Sequence, residues 1–575
     1  MQDGRKRVVI EGVEPEIDCG RFAAKRIVGD RVIVEADIYT DGHDAVSALL
    51  LWRAADETLW REVPMQPLVN DRWQADFTPD HLGRWLFTVE AWVDRFATWY
   101  RDMRKRVAAG QDPGAQLLVG MDLIEGAIAR ARLRGTPANE IDWLSEWSQR
   151  LETGGEWKDR TKGLFSGELL EAMSLFPDRS NATLYPHELP VRVEREKARF
   201  STWYELFPRS TGQGSQHGTF RDVERLLPYV RELGFDVLYL PPIHPIGTTF
   251  RKGKNNTLDP TGEDLGSPWA IGSEAGGHRA IHRQLGTIED LRHLIGAAGD
   301  LGIEIALDIA FQASPDHPLV REHPEWFRRL PDGSIQYAEN PPKKYQDIYP
   351  FDFESEEWRS LWVELRDTML YWAEQGVYIF RVDNPHTKPF AFWEWAIAEV
   401  HERFPEVIFL SEAFTRPKVM SYLAKAGFTQ SYTYFTWRNT SWELREYMLE
   451  LTRTKLKEFF RPNFWPNTPD ILHEYLQHGG RGAFMSRISL AATLTASYGI
   501  YGPAFELLDH QPREPGSEEY LHSEKYQLRE WDLDHPDSLR EFIARINRIR
   551  RENRALQSNE NLEFHRSEND QILCY

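Results

Sequence analysis

Three carboxylates close apolar, strand-like runs in this chain, and the intervals between them restrict what it can fold into. Asp383 ends VYIFRVD (377–383), Glu412 ends VIFLSE (407–412) and Asp470 ends NFWPNTPD (463–470). Glu412 follows Asp383 by 29 positions, and Asp470 follows Glu412 by 58, twice that interval. One strand, one crossover helix and two connections occupy roughly 30 residues. The acids therefore fall on strands n, n+1 and n+3 of a repeating β/α array. In a closed barrel the C-terminal strand ends converge on one pocket, and these three side chains would share it.

The rest of the chain fits that rhythm. Strand-like runs recur at TWYELF (202–207), FDVLYLPP (235–242), IEIALDIAF (303–311), FTQSYTYF (428–435) and IYGPAFELL (500–508). Between them lie helical patterns, the first carrying Val223, Leu226, Leu227, Val230 and Leu233 on one face before Gly234 stops it. Eight strands and eight helices over residues 191–555 are the tally of an α/β (β/α)8 TIM barrel. The stretch 314–354 after strand 3 is rich in Pro, His and Lys and is expected to form a loop subdomain, since loops that long are usually functional.

Ahead of the barrel, residues 1–100 hold short alternating runs such as RVIVEADIY and RWLFTVEAWV, which predict an N-terminal β-sandwich. Residues 101–190 are helical in texture (AQLLVGMDLIEGAIARARL) and are expected to be a helical insert used for packing or dimerisation. After 556 a new run, LEFHRSENDQILCY, reads as the start of a truncated C-terminal β domain at 556–575.

Charge and composition exclude several classes. A net charge of −20 argues against a nucleic-acid partner, because phosphate backbones need a basic face. Only Cys19 and Cys574 occur, so neither a disulfide framework nor a thiolate metal site is expected. There is no HExxH and no Ca²⁺-loop signature, and GTTFRKGKN lacks P-loop spacing; no metal and no cofactor is expected. The N-terminus lacks an apolar signal core, and 488–508 reads as buried barrel rather than as a membrane span, so a cytoplasmic location is expected. The 21 Trp, 21 Tyr and 30 Phe are mostly core, but aromatic rings also stack on the apolar faces of sugars.

Carboxylates gathered at one mouth suit glycosyl-bond chemistry. A retaining enzyme needs two about 5 Å apart, one to attack carbon 1 and one to shuttle a proton. Arg381 lies two residues before Asp383 and so points the same way, where it can keep that acid ionised. Glu412 follows an apolar run, and a less polar setting raises a carboxyl toward general-acid duty. A single acid at a strand end is often only a helix cap; three at this spacing, with an Arg beside one, favour a site.

FRVDN, FLSEAF and TPD on strands 4, 5 and 7, with ALDIAF on strand 3, resemble the alpha-amylase superfamily, glycoside hydrolase family 13. Within it, GTTFRKGKNN (247–256), GSPWAIGS (266–273), ENPPKKYQDIYP (339–350), DNPHTKP (383–389) and SEKYQLR (523–529) resemble the alpha-1,4-glucan:maltose-1-phosphate maltosyltransferases. Two departures from ordinary amylases agree with this. Gln312 and Ala313 replace Asn-His after Asp308, and Pro469 replaces the His before the strand-7 acid.

The resemblance implies that Asp383 is the nucleophile, Glu412 the general acid/base, Asp470 the transition-state stabiliser, and Arg381 the residue that orients Asp383. It places Asn340, Lys343 and Tyr345 on the donor phosphate, and Lys252, Gln312 and Asn384 on the maltosyl unit. The Lys343–Lys344 pair also reads as a solvated loop, and the sequence leaves open which lysine points inward. The implied partners are α-maltose 1-phosphate and an α-1,4-glucan acceptor, with a homodimer as the assembly. The alternatives are an amylase-like hydrolase or transglycosylase and a catalytically inactive glucan-binding protein.

Overall fold

Eight short strands, apolar along most of their length, form one parallel sheet in the second of two units, Met1–Val193 and Glu194–Tyr575, into which the chain divides. The computed structural model describes residues 3–152, 155–214, 216–341 and 343–575. The strands are β1 (Ser201–Glu205), β2 (Val237–Leu240), β3 (Glu304–Ile309), β4 (Ile379–Asp383), β5 (Ile408–Glu412), β6 (Gln430–Ser431), β7 (Asn463–Phe464) and β8 (Ser497–Tyr501). Their order is β6-β5-β4-β3-β2-β1-β8-β7. A parallel bridge between Ser431 and Pro462 joins the two ends, so the sheet closes into a (β/α)8 barrel.

Closure requires the interior to be filled by side chains. Trp203, Val237, Tyr239, Ala306, Ile379 and Trp465 pack there. Gly499 on β8 leaves room for Trp465, because a Cβ at 499 would lie 2.3 Å from the indole. Gly499→Ala is therefore expected to overpack the barrel and cost about 1–3 kcal/mol, read as a lowered unfolding midpoint.

Local signals set the helix starts around the barrel. Capping boxes join Thr219 to Asp222, Thr287 to Asp290 and Thr440 to Glu443 at the starts of α1 (Phe220–Leu233), α2 (Ile288–Asp300) and α6 (Ser441–Arg453). Gly234, at φ 89°, ends α1 as its sequence predicts. The others are α3 (Trp358–Glu374), α4 (Phe390–Arg403), α5 (Pro417–Lys425), α7 (Gly480–Leu494) and α8 (Arg540–Glu552).

Three strand assignments need correction. The eighth strand lies at Ser497–Tyr501 rather than 500–508, because Pro503 opens a short helix, Gly502–Glu506. β7 ends at Phe464, and Asp470 sits six residues later in the turn between the bridged residues Thr468 and Ile471. β6 is only two residues long, and Tyr434–Trp437 is a 3₁₀ turn. After β3, Gln312 and Ala313 pair with Pro350 and Tyr349, clasping the long excursion at its base. Within it, Ala338–Asn340 and Lys343–Tyr345 form a hairpin.

The first unit, described by itself, holds two antiparallel sheets with a shared core that includes Val34, Leu50, Trp85, Phe87 and Val191. Its helices Arg95–Ala108, Gln116–Leu133 and Ala138–Glu152 bury Trp99, Ile124, Ile128 and Leu144 in a second core. Among the described residues, no helix is long and apolar enough to cross a membrane.

Candidate active site

Strand pleating sends alternate residues into the barrel, and at the C-terminal ends this brings Asp308 of β3, Arg381 and Asp383 of β4, and Glu412 of β5 together. All four are buried. Arg381 ties them to one another. Its Nη1 donates to Asp308 Oδ2 at 2.9 Å and Asp383 Oδ1 at 2.8 Å, while Nη2 pairs with Glu412 Oε1 at 2.9 Å. Asn384 makes a second tie. Its left-handed backbone (φ 42°) aims its N–H at Glu412 Oε2, 3.2 Å away, while its side-chain amide donates to Asp383 Oδ2 at 3.4 Å. Asp383 and Glu412 are thus neighbours under one guanidinium.

Their electrostatic states differ. Burial would raise Asp383, but the positive charges of Arg381 and Lys388 outweigh it and hold the carboxyl below its ordinary value. Burial pushes Glu412 up to about 8; Arg381 opposes this, and the nearby charges of Asp383 and Asp470 add to it. Glu412 Oε2 accepts the Asn384 N–H and Oε1 is ion-paired with Arg381, which leaves room for a proton. Burial also lifts Asp308 to about 6 against the pull of Arg381. One member of the pair is therefore ionised and the other protonated at neutral pH, the division that nucleophile and acid require.

Arg381 is the only guanidinium that these three carboxyls share among the described residues. Removing one partner of a buried charge cluster costs about 3–5 kcal/mol. Arg381→Met should lower stability by that order in a denaturant titration. It should also move the acid limb of activity upward, because Asp383 then holds its proton more tightly.

Asp470 lies to one side, half exposed and ion-paired with Lys525. Lys525 stands 5.1 Å from the centre of the Trp269 ring, whose Nε1 donates to Asp308 Oδ2 at 3.1 Å. Gln312 donates to the Trp269 carbonyl at 3.2 Å, so it borders the same wall. Lys252 is 3% exposed and donates to Gln346 Oε1 at 2.8 Å, beside Asp347.

The hairpin resolves the lysine pair. Asn340 registers with Lys343, and the two-residue repeat puts Lys343 and Tyr345 on one face and Lys344 on the other. Lys343 pairs with Glu519 at 3.4 Å, and Glu519 lines one pocket with Asp470, Lys525 and Tyr526. Lys343 and not Lys344 is turned toward the mouth, though its side chain is 63% exposed. Asn340 is exposed and Tyr345 half-buried.

Sequence reasoning gave no role to Asp308, Lys388, Trp269 or Lys525. Lys388, five residues after Asp383, donates to the Asp383 and Asn384 carbonyls. Lys525 comes from a loop 55 residues beyond Asp470, a separation that carries no periodic signal.

The family profile for alpha-1,4-glucan:maltose-1-phosphate maltosyltransferase, domain N/S, matches residues 6–195. The protein of that name from Chlorobaculum tepidum is 53% identical over 580 aligned residues, covering 100% of this chain and 86% of that protein. Its namesake from Myxococcus xanthus is 53% identical, covering 99% of this chain and 86% of the relative. A solved alpha-amylase from Lactobacillus plantarum aligns with a TM-score of 0.49 at 23% identity, over 64% of this chain and 83% of its own.

Proposed function

The chain belongs to the alpha-1,4-glucan:maltose-1-phosphate maltosyltransferase family, and on that premise we propose how its barrel mouth carries out the transfer. The enzyme is a glycosyltransferase that takes a maltosyl unit from α-maltose 1-phosphate, passes it to the non-reducing end of an α-1,4-glucan and releases phosphate. Asp383 attacks carbon 1 as the bond to the phosphate oxygen breaks, and Glu412 gives that oxygen its proton. Glu412 then takes the proton of the acceptor's 4-hydroxyl, whose oxygen displaces Asp383 from carbon 1. Two inversions return the α configuration.

One observation carries this reading: two adjacent carboxyls share Arg381, yet burial and charge drive one below and the other above its ordinary value. Asp470, held by Lys525, has a second oxygen left for sugar hydroxyls. Lys343 and Tyr345 share the hairpin face toward Asp470 and, with Asn340, are assigned to the phosphate, whose charge needs local cations. Lys252, Gln312 and Asn384 are assigned to the maltosyl unit. The homodimer and the cytoplasmic location belong to the same proposal, and sedimentation of the purified chain reads the first.

The test incubates the protein with α-maltose 1-phosphate and a malto-oligosaccharide, following phosphate and chain length together. One phosphate for every two glucosyl units added is expected. Free maltose without elongation would instead favour the hydrolase.

A further inference from the structure

Glu205 ends β1 and has no part in the reaction described above. Trp203, two residues earlier, packs into the barrel core, so strand alternation sends Glu205 inward as well. Its neighbours in register are Tyr239 on β2 and Tyr501 on β8. It is 2% exposed. The charged groups around it are Arg381, Asp308, Asp470 and Glu412, with the phenols of Tyr239, Tyr432 and Tyr520.

Each of the other mouth carboxyls has a donor. Asp308 receives Tyr239, Trp269 and Arg381. Asp383 receives Arg381 and Asn384, Glu412 receives the Asn384 N–H and pairs with Arg381, and Asp470 receives Lys525. Among the described residues, no side-chain hydrogen bond joins the Glu205 carboxyl to a donor, and burial is the largest influence on it. An ionised carboxylate left so would cost several kcal/mol. Charge balance agrees: five carboxyls face three cations, Arg381, Lys388 and Lys525, so two protons are needed. Glu412 holds one of them.

We propose that Glu205 is held as a neutral carboxylic acid whose O–H donates a hydrogen bond to a hydroxyl of the sugar ring seated at the mouth. Burial, which favours the protonated form, supports this. Glu412 and Asp470, which flank the seated ring, are among the charges that act on Glu205, so its O–H is placed to reach a hydroxyl of that ring. A carboxyl kept neutral by its site gains a donor that the ionised form lacks. The inference rests on the transfer reading, which supplies the sugar.

The test compares Glu205→Gln and Glu205→Leu with the wild type in maltosyl transfer across pH, together with infrared difference spectra. Glu205→Leu should lower kcat/KM roughly ten- to a hundredfold, the loss of one buried hydrogen bond. Glu205→Gln, which keeps an N–H donor, should recover most of that loss. The alkaline limb set by Glu412 should stay in place in both variants, because a neutral Glu205 exerts no charge on it. The spectrum of wild type minus Glu205→Gln at neutral pH should show a carboxylic-acid band, a readout independent of turnover. A carboxylate band, a limb moved to lower pH in Glu205→Gln, or a Gln variant as impaired as the Leu variant would overturn the proposal. Wild-type transfer with an ionised Glu205 would sink this inference alone, whereas a wild type that cannot transfer would sink the reading beneath it.

Discussion

Asp383→Asn should lower kcat by about 10⁴–10⁶-fold, the scale lost when an enzyme's nucleophile is removed, while leaving the barrel folded. Asn fills the same volume and still reaches Arg381, but its amide oxygen cannot form the glycosyl ester. The stability effect has a definite sign. Asp383 sits below its ordinary value, so it contributes stability above pH 4 or so that is lost as the pH falls through its folded value. Asp383→Asn should thus be slightly less stable than wild type at neutral pH and approach it in acid. A variant with most of its activity left would remove Asp383 from the chemistry.

Glu412→Gln should lower overall transfer about 10²–10⁴-fold, the usual range for a general acid/base, and should abolish the alkaline limb. In the wild type the proton on Glu412 is present below about pH 8 and lost above it. Donor cleavage therefore falls as the pH rises through that value. Asp383's charge is among the causes that raise Glu412. Once Asp383 is tied up in the ester that charge is gone, Glu412 gives up its proton more readily, and the acid becomes the base that the second step needs. Linkage works against the wild type here: a raised carboxyl stabilises the fold at low pH and loses that contribution as the pH rises through about 8. The Gln variant titrates at neither end. Its stability relative to wild type should rise with pH over that window, as thermal midpoints would show.

Much of this site was legible in the sequence because β/α repeats have a fixed length. Asp383 and Glu412, 29 residues apart, do end adjacent strands, and their register pairs them directly. The same reasoning placed Asp470 near the right wall for an incomplete reason: it lies in a turn six residues past β7, not at the strand end. Strand 8 was misplaced because LAATLTASYGIYGPAF is mostly apolar and carries no charge, and periodicity does not separate helix from strand in such runs. What was not legible was tertiary in origin. Lys525 reaches Asp470 from a distant loop, and Trp269 reaches Asp308 from another. Glu205 was missed for a different reason: it stands alone inside TWYELF, outside the run of intervals that singled out the other acids. The choice between Lys343 and Lys344 needed the hairpin register, which two adjacent lysines cannot reveal.

The division of labour between Asp383 and Glu412 is tested most directly by mass spectrometry of Glu412→Gln incubated with α-maltose 1-phosphate and no acceptor. Loss of Glu412 slows formation of the ester, but with no acceptor supplied and no base to activate one its discharge is slowed further, so the covalent intermediate should build up. The protein should gain the mass of one maltosyl unit, and peptide mapping should place it on Asp383. Phosphate release with no adduct, or an adduct on Asp308 or Asp470, would contradict the account.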